Sequence, residues 1–538
     1  MATFRHDARG VSIDYVELLD TTLRDGAQTR GVSLSLRDKL RIAEKLDELG
    51  IDIIEAGWPG ANPKDSEFYK AVKSISLTHS KLAVFGSTKH KNSKVDQDPM
   101  LKSLVEADVP YAVVFGKSWL LHVREVLRAT PEENLRMIGE TVNYLKDHGI
   151  KVIFDAEHFF DGWKDSPSYA LAVLRAASEA GAETLVLCDT NGGTLPSQLF
   201  DIVKKVGSEI KAPLGIHAHN DAGCATANSL AAVEAGVRHV QGTFIGLGER
   251  CGNADLAQII PALRLKMGFK VLKDGDVERL KKLTEVARFI ASVTGFHLAP
   301  NHPYVGRNAF AHKGGVHIDA IIKHPRTYEH IDPSLVGNER VLSISEQAGR
   351  SALMDLARRM GLNLSKDELR AATEEVKRME AFGYHLEPAE ATVILLILKH
   401  IGMYRELFQV KNWWVESVNI GRKISRAIVT ISVNGDIVTA MGEGVGPVHA
   451  LDEAVRSGIS SRFPALKDVS LTDYKVYVVD SKEGTAAYVR VFTEFTWREK
   501  SWITTSVSNN IIEASLSAII DGYRYLLLAL EPGLLDNK

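Results

Sequence analysis

From residue 16 to residue 243 the chain alternates short apolar runs with helix-length amphipathic segments. The runs are Val16–Asp20, Ile51–Glu55, Lys81–Ser87, Tyr111–Phe115, Lys151–Ala156, Thr184–Cys188, Leu214–Ala218 and His239–Thr243. Parallel strands need long crossovers, usually helical, so this rhythm implies an α/β fold with a parallel sheet. Eight units of this length predict a closed (β/α)8 TIM barrel, with a doubly wound open sheet as the alternative. No G-x-G-x-x-G follows the first strand, which weakens a dinucleotide-binding reading. Local signals agree with the rhythm. Ser35 with Asp38 opens a helix that Gly50 stops, and Thr130-Pro131 opens another that ends at Gly149.

In such barrels the chemistry sits where strands end. Here those ends carry Arg24 and Asp25, then Glu55, then Asp155, Glu157 and His158, then Asp189 and Thr190. The seventh strand carries His217-Ala218-His219, and the eighth leads into Gly246–Asn253. Strand side chains alternate, so His217 and His219 face one side and suit a divalent metal. Two histidines satisfied by neighbouring hydrogen bonds are the competing reading, of about equal weight for the pair alone. Asp25 at another strand end shifts the balance toward metal, and these donors suit Zn²⁺, Mn²⁺, Fe²⁺ or Co²⁺. Arg24 is either a structural partner of Asp25 or a guanidinium that stabilises an oxyanion. For both to point one way, a tight turn at Gly26 is needed. The glycines of Gly246–Gly252 are either a plain loop or a backbone that approaches the metal and places Asn253.

Charge and cysteine content narrow the class. With 65 basic and 68 acidic side chains, the net charge of -3 supplies no global field for nucleic acid or an acidic membrane. Three cysteines, Cys188, Cys224 and Cys251, make no disulfide framework or zinc ribbon, and a reducing cytoplasm is expected. The start, MATFRHDARGVSIDY, has no signal-peptide core. The most apolar stretches, Val393–Leu398 and Tyr525–Leu530, fall far short of the roughly 20 residues of a membrane span, so a soluble intracellular protein is expected.

The second half changes character. Residues 266–290 read as one helix leading out of the barrel. His302–Gly337, with five histidines, reads on composition as a surface linker. Residues 365–402 read as two amphipathic helices. After Trp413-Trp414 comes a hairpin, Ala427–Val433, Asn434-Gly435, Asp436–Ala440, then the helix Val448–Ser457. Lys475–Asp480, Ala486–Phe495, Ser501–Val507 and the helix Asn510–Leu528 repeat that order, predicting a pseudo-repeated α+β domain from about residue 410. Gly442–Pro447 is no P-loop, since no G-K-[ST] follows.

Three long motifs carry a resemblance. DTTLRDGAQ (Asp20–Gln28), HAHNDAGCATANSLAAVEAG (His217–Gly236) and GTFIGLGERCGNADL (Gly242–Leu256) resemble the acyl-CoA-condensing metallo-TIM-barrel family. That family includes 2-isopropylmalate, homocitrate and citramalate synthases and related lyases. GVSLSLRDKLRIAEKLDELGID (Gly31–Asp52), GWPGANPKD (Gly57–Asp65) and HFFDGW (His158–Trp163) look most like the citramalate branch. The resemblance implies a barrel over 1–265, helical linker subdomains that contribute to the site over 266–409, and a regulatory and dimerisation domain over 410–538. It implies one divalent ion (Mn, Zn, Mg or Co) on Asp25, His217, His219 and Asn253. Arg24 would contact the metal-bound 2-oxo acid, Thr190 would hold its carboxylate, and Glu157 would be an acid/base beside acetyl-CoA. His317, in GGVHIDA, would assist catalysis, often across a dimer. Tyr328 follows at nearly the family spacing with about one extra residue, His312 is the competing histidine, and Gln28 matches without a firm role. The implied reaction is a Claisen-type condensation of acetyl-CoA with pyruvate to citramalate, on a threonine-independent route to isoleucine, with isoleucine as effector of a homodimer. The alternatives are 2-isopropylmalate synthesis from 2-oxoisovalerate, a lyase running the reverse cleavage, and a non-catalytic amino-acid sensor. A dimer-forming tail that has lost its effector site is the plainer reading of 410–538. No nucleic acid or membrane partner is expected.

Overall fold

The structure is a computed structural model describing residues 15–273, 277–342, 349–419, 423–433, 435–479, 481–498 and 500–530. Of the readings above, residues 1–14 of the N-terminal segment, Asn434 of the hairpin turn and Asp480 lie outside the described residues. Two compact units emerge: Met1–Phe310 with Ile331–Arg340, and Ala311–His330 with Val341–Lys538. Among the described residues no helix is long and apolar enough to cross a membrane.

In the first unit the strands are β1 (Glu17–Asp20), β2 (Ile53–Glu55), β3 (Lys81–Ser87), β4 (Tyr111–Lys117), β5 (Lys151–Glu157), β6 (Thr184–Asp189), β7 (Leu214–Ala218) and β8 (His239–Gly242). All neighbours are parallel, and β1 pairs with both β2 and β8, so the expected barrel closes. The helices between them are α1 (Leu36–Leu49), α2 (Pro63–Ala71), α3 (Pro99–Glu106), α4 (Pro131–Asp147), α5 (Phe159–Asp165), α6 (Pro167–Glu179), α7 (Pro196–Glu209) and α8 (Ala225–Ala235). α9 (Leu256–Leu265) completes the eighth unit. Capping boxes at Ser35/Asp38 and Thr130/Glu133 start α1 and α4. Leu19, Ile53, Ala83, Phe85, Val113, Ile153, Val186 and Cys188, from β1 to β6, fill the barrel interior on the inward-facing parity of their strands. On β7 and β8 that inner face turns polar, with His217, His239 and Gln241 all buried.

Several expected boundaries move. β4, β5 and β6 run on to Lys117, Glu157 and Asp189, because backbone pairing continues past the last apolar residue. β2 starts later, at Ile53. β7 keeps its expected bounds, Leu214–Ala218, so His219 stands just beyond the strand. Residues 266–290 are not one helix: Gly268 (φ +77°) and Leu272 (φ +61°) turn the chain, and two helices follow, α10 (Val277–Leu280) and α11 (Leu283–Thr294).

The second unit holds β9 (Ala311–His312), α12 (Gly315–Lys323), β10 (Val341–Leu342), α13 (Gly349–Arg359), α14 (Lys366–Phe382) and α15 (Glu390–His400). α14 is amphipathic as expected, but α15 is not: Ala391–Leu398 are all buried, which makes it a central core helix. Two antiparallel three-stranded sheets follow. β11 (Phe408–Asn419), β12 (Lys423–Val433) and β13 (Asp436–Gly444) precede α16 (Pro447–Ile459). β14 (Ser470–Val478), β15 (Val489–Trp497) and β16 (Lys500–Ser508) precede α17 (Ile511–Tyr525). The expected pseudo-repeat is therefore three strands and a helix, twice, with β11 an additional strand and β14 starting earlier than expected.

Candidate active site

The chain turns sharply after β1. The Arg24 and Gly26 amides both donate to the Thr21 carbonyl, at 3.2 and 3.0 Å, so the turn expected at Gly26 begins earlier, at Thr21. This turn lets adjacent Arg24 and Asp25 face the same way. Arg24 Nη1 lies 3.1 Å from Asp25 Oδ2, and its Nε lies 2.6 Å from Glu55 Oε1, to which the Thr21 hydroxyl also donates at 2.6 Å. The guanidinium rests 3.7 Å above the Phe85 ring. Burial opposes the Arg24 charge, but Glu55 and Asp25 outweigh it and raise its pKa above the ordinary arginine value.

Across the mouth, His217 Nε2 lies 3.3 Å from His219 Nε2 and 3.6 Å from Asp25 Oδ2. Asp25, His217 and His219 are buried, and their ligand atoms all fall within 4.8 Å of one another. Gln241 on β8 orients His217: its Nε2 donates to Asp155 Oδ1 at 2.9 Å, and its Oε1 meets His217 Nδ1 at 3.1 Å. His217 Nδ1 therefore carries the proton and Nε2 presents its lone pair to the cluster. Burial, then His219, holds the His217 pKa down at about 3, and burial also lowers His219. For Asp25 burial pulls upward, but Arg24, His217 and His219 outweigh it and leave the carboxyl below its ordinary value.

Asn253 comes from the glycine loop. Its Nδ2 donates to the Leu247 carbonyl at 3.1 Å, while its Oδ1 is buried with no hydrogen-bond partner among the described residues. The amide nevertheless helps to lower the neighbouring Asp25. Gly248 has φ +147°, and a Cβ there would fall 2.2 Å from Asn253 Nδ2. The loop therefore has to be glycine at this point to seat Asn253, and it is more than a connection. A backbone bridge between His219 and Asn253 closes the group. Neutral imidazoles, an ionised carboxylate and an orphaned amide oxygen form a buried set of acceptors with no thiolate, and a divalent cation fits such a set.

Thr190 follows β6, and its Oγ1 accepts the His158 amide at 2.9 Å. Arg250 donates to the Thr190 carbonyl at 2.7 Å and forks onto both Asp221 oxygens at 2.8 and 3.0 Å. Glu157 closes β5 beside Lys117 of β4, with which it forms an ion pair, and near His122 and His158. His317 on α12 and Tyr328 lie in the second unit, exposed, with their rings stacked 4.1 Å apart. His312 on β9 instead sits 3.4 Å from buried Glu329. Gln28 ends a short 3-10 turn, Gly26–Gln28, and is exposed. Glu55, Gln241, Arg250 and Lys117 received no role from the sequence. Strand register brings Glu55, Gln241 and Lys117 to their partners, and the loops after β6, β7 and β8 bring Arg250 to Thr190 and Asp221.

The family models match along the chain. Residues 15–290 match the HMGL-like family, residues 304–383 the homocitrate synthase post-HMGL domain-like family, and residues 387–527 the LeuA allosteric (dimerisation) domain. The chain belongs to the HMGL-like family. The (R)-citramalate synthase of Sulfolobus acidocaldarius is 49% identical over 514 residues, covering 95% of this chain and 97% of that protein. The (R)-citramalate synthase of Aquifex aeolicus is 49% identical over 519 residues, covering 95% and 98%. A 2-isopropylmalate synthase of Methanocaldococcus jannaschii is 32% identical over 517 residues, covering 96% and 95%.

Proposed function

We propose that the chain is an acyltransferase that condenses acetyl-CoA with pyruvate to give citramalate and CoA. The observation that carries this reading is near-half identity to citramalate synthases over almost the whole chain, against 32% to a 2-isopropylmalate synthase of the same length class. The buried acceptor cluster supports it chemically. Asp25, His217, His219 and Asn253 would hold one divalent ion (Mn, Zn, Mg or Co). When bound, that ion supplies Lewis-acid polarisation of a 2-oxo acid carbonyl.

The chain's own groups then have definable work. Arg24, pinned by Glu55, points a fixed positive charge at the oxygen that becomes negative as the new carbon–carbon bond forms. Because the Thr190 hydroxyl oxygen accepts the His158 amide, its proton remains to donate to the pyruvate carboxylate. Glu157 takes a proton from the acetyl methyl group. The resulting carbon nucleophile attacks the keto carbon, whose oxygen takes up one proton, equivalent to the one Glu157 removed and passed on through water, and ends as a hydroxyl. Water then splits the thioester, releasing CoA as a thiol and leaving a carboxylate. His317 and Tyr328 are proposed as further catalytic groups, with a homodimer, an isoleucine-type effector on the C-terminal domain and a place on a route to isoleucine. All three cysteines are free, in keeping with a cytoplasmic setting.

The test is thiol release from acetyl-CoA with pyruvate, 2-oxoisovalerate and 2-oxoglutarate in parallel. Pyruvate is expected to lead by about 10- to 200-fold in kcat/KM, the range that one or two methylenes command in an apolar pocket. A preference for 2-oxoisovalerate would overturn the substrate assignment.

A further inference from the structure

Lys117 and Glu157 are the last residues of β4 and β5, and the two strands pair them directly. Tyr111, Val113 and Phe115 on β4, and Ile153 on β5, share their parity and line the barrel interior. By the two-residue period both side chains therefore emerge on the inner rim of the mouth. The backbone there is tied twice: the Ser118 amide and hydroxyl both donate to the Glu157 carbonyl, at 3.2 and 2.6 Å. Buried Asn134 of α4 donates to the Lys117 carbonyl at 2.8 Å and so fixes the end of β4. On this rigid footing the Lys117 ammonium bonds Glu157 Oε2, with side-chain exposures of 14% and 23%. Oε1 has no hydrogen bond among the described residues.

The same corner could be taken for a second metal site, because atoms of His122, Glu157 and His158 lie within 4.8 Å of one another. Lys117 argues against that. Its charge already sits on the carboxylate, and a divalent ion beside it would meet like charge. Burial, then His158 and Lys117, lowers the His122 pKa, so this imidazole adds no second positive charge beside the carboxylate. The groups facing Glu157 are thus one cation from β4, neutral His122, His158 with Asp161 at 3.6 Å, and the buried Cys188 thiol of β6.

We propose that Lys117 is a positioning residue for Glu157: by holding Oε2 it turns Oε1 toward the acetyl methyl group as the atom that takes the proton. The inference rests on Glu157 being the base. A carboxylate free to rotate would spend less time aligned with a C–H bond, so losing Lys117 slows proton abstraction without weakening pyruvate binding.

The experiment compares Lys117→Ala, Lys117→Arg and Glu157→Gln, each checked for thermal unfolding and metal content. For Lys117→Ala, kcat is expected to fall about 10- to 100-fold with an unchanged KM for pyruvate, within the span of positioned acid–base groups. The isotope effect on kcat with methyl-deuterated acetyl-CoA should rise, and added ethylamine should restore part of the rate. Lys117→Arg should retain most of it and serves as the readout should the alanine variant not fold. Wild-type kcat and isotope effect in Lys117→Ala, or an arginine variant as slow as the alanine one, overturns the inference. Binding of a second ion that His122→Ala abolishes does the same. Full activity in Glu157→Gln would instead sink the assignment of the base itself.

Discussion

A single hydrogen bond from a buried imidazole to a buried amide decides which nitrogen His217 can offer. Removing the acceptor with Gln241→Leu should leave the Nδ1–H unpaired in the barrel interior, a cost of about 1–3 kcal/mol. Divalent-metal affinity, measured by competition with a chromophoric chelator, should fall about 10- to 100-fold, the usual effect of losing the partner behind a ligating histidine. Gln241→Glu keeps an acceptor and should keep most of the affinity. Equal affinity in wild type and Gln241→Leu would mean that Gln241 does not set the tautomer. Much at this scale was legible in the sequence. H-x-H at the end of a strand predicts one shared face, and His217 and His219 do meet. Asp25 joins them because the turn at Thr21 lets neighbouring residues point together. Gln241, Asp155 and Glu55 were not legible as partners. Their roles depend on which strand lies beside which, and residue order does not state that.

Among the elements, the loop after β8 is the most constrained. Gly248→Ala should strain a backbone at φ +147° and push a methyl group onto Asn253 Nδ2. The expected result is a loss of about 1–3 kcal/mol together with a smaller metal-induced rise in Tm, followed by differential scanning fluorimetry with and without added metal. Gly268→Ala is the control. Its φ is also positive, at +77°, but its Cβ meets nothing within 4 Å, so only the backbone cost should appear and the metal response should stay whole. Helices with strong caps, such as α1 and α4, were readable nearly to the residue. α15 was misjudged because an apolar helix with a few polar ends looks amphipathic until its neighbours cover every face. β11 escaped because a bulge between Val410 and Asn412 breaks the two-residue alternation.

At the scale of the molecule, the count of βα units was enough to predict closure, since eight parallel strands with helical crossovers have one common way to remove both edges. Which core a segment joins was harder to read. Ile318 and Ile321 of α12 are buried in the second unit, whereas Val336, fifteen residues after Ile321, is buried in the first. Burial partners so distant in sequence leave no periodic mark. The central claim is one divalent ion held by Asp25, His217, His219 and Asn253 and required for turnover. Its most direct test is the metal content of the purified protein and of His219→Ala, by inductively coupled plasma mass spectrometry, beside citramalate formation before and after chelation. One ion per wild-type chain is expected, with activity lost on chelation and regained on adding metal, and with His219→Ala folded but largely metal-free. Full occupancy in His219→Ala, or undiminished turnover by a metal-stripped chain, would contradict it.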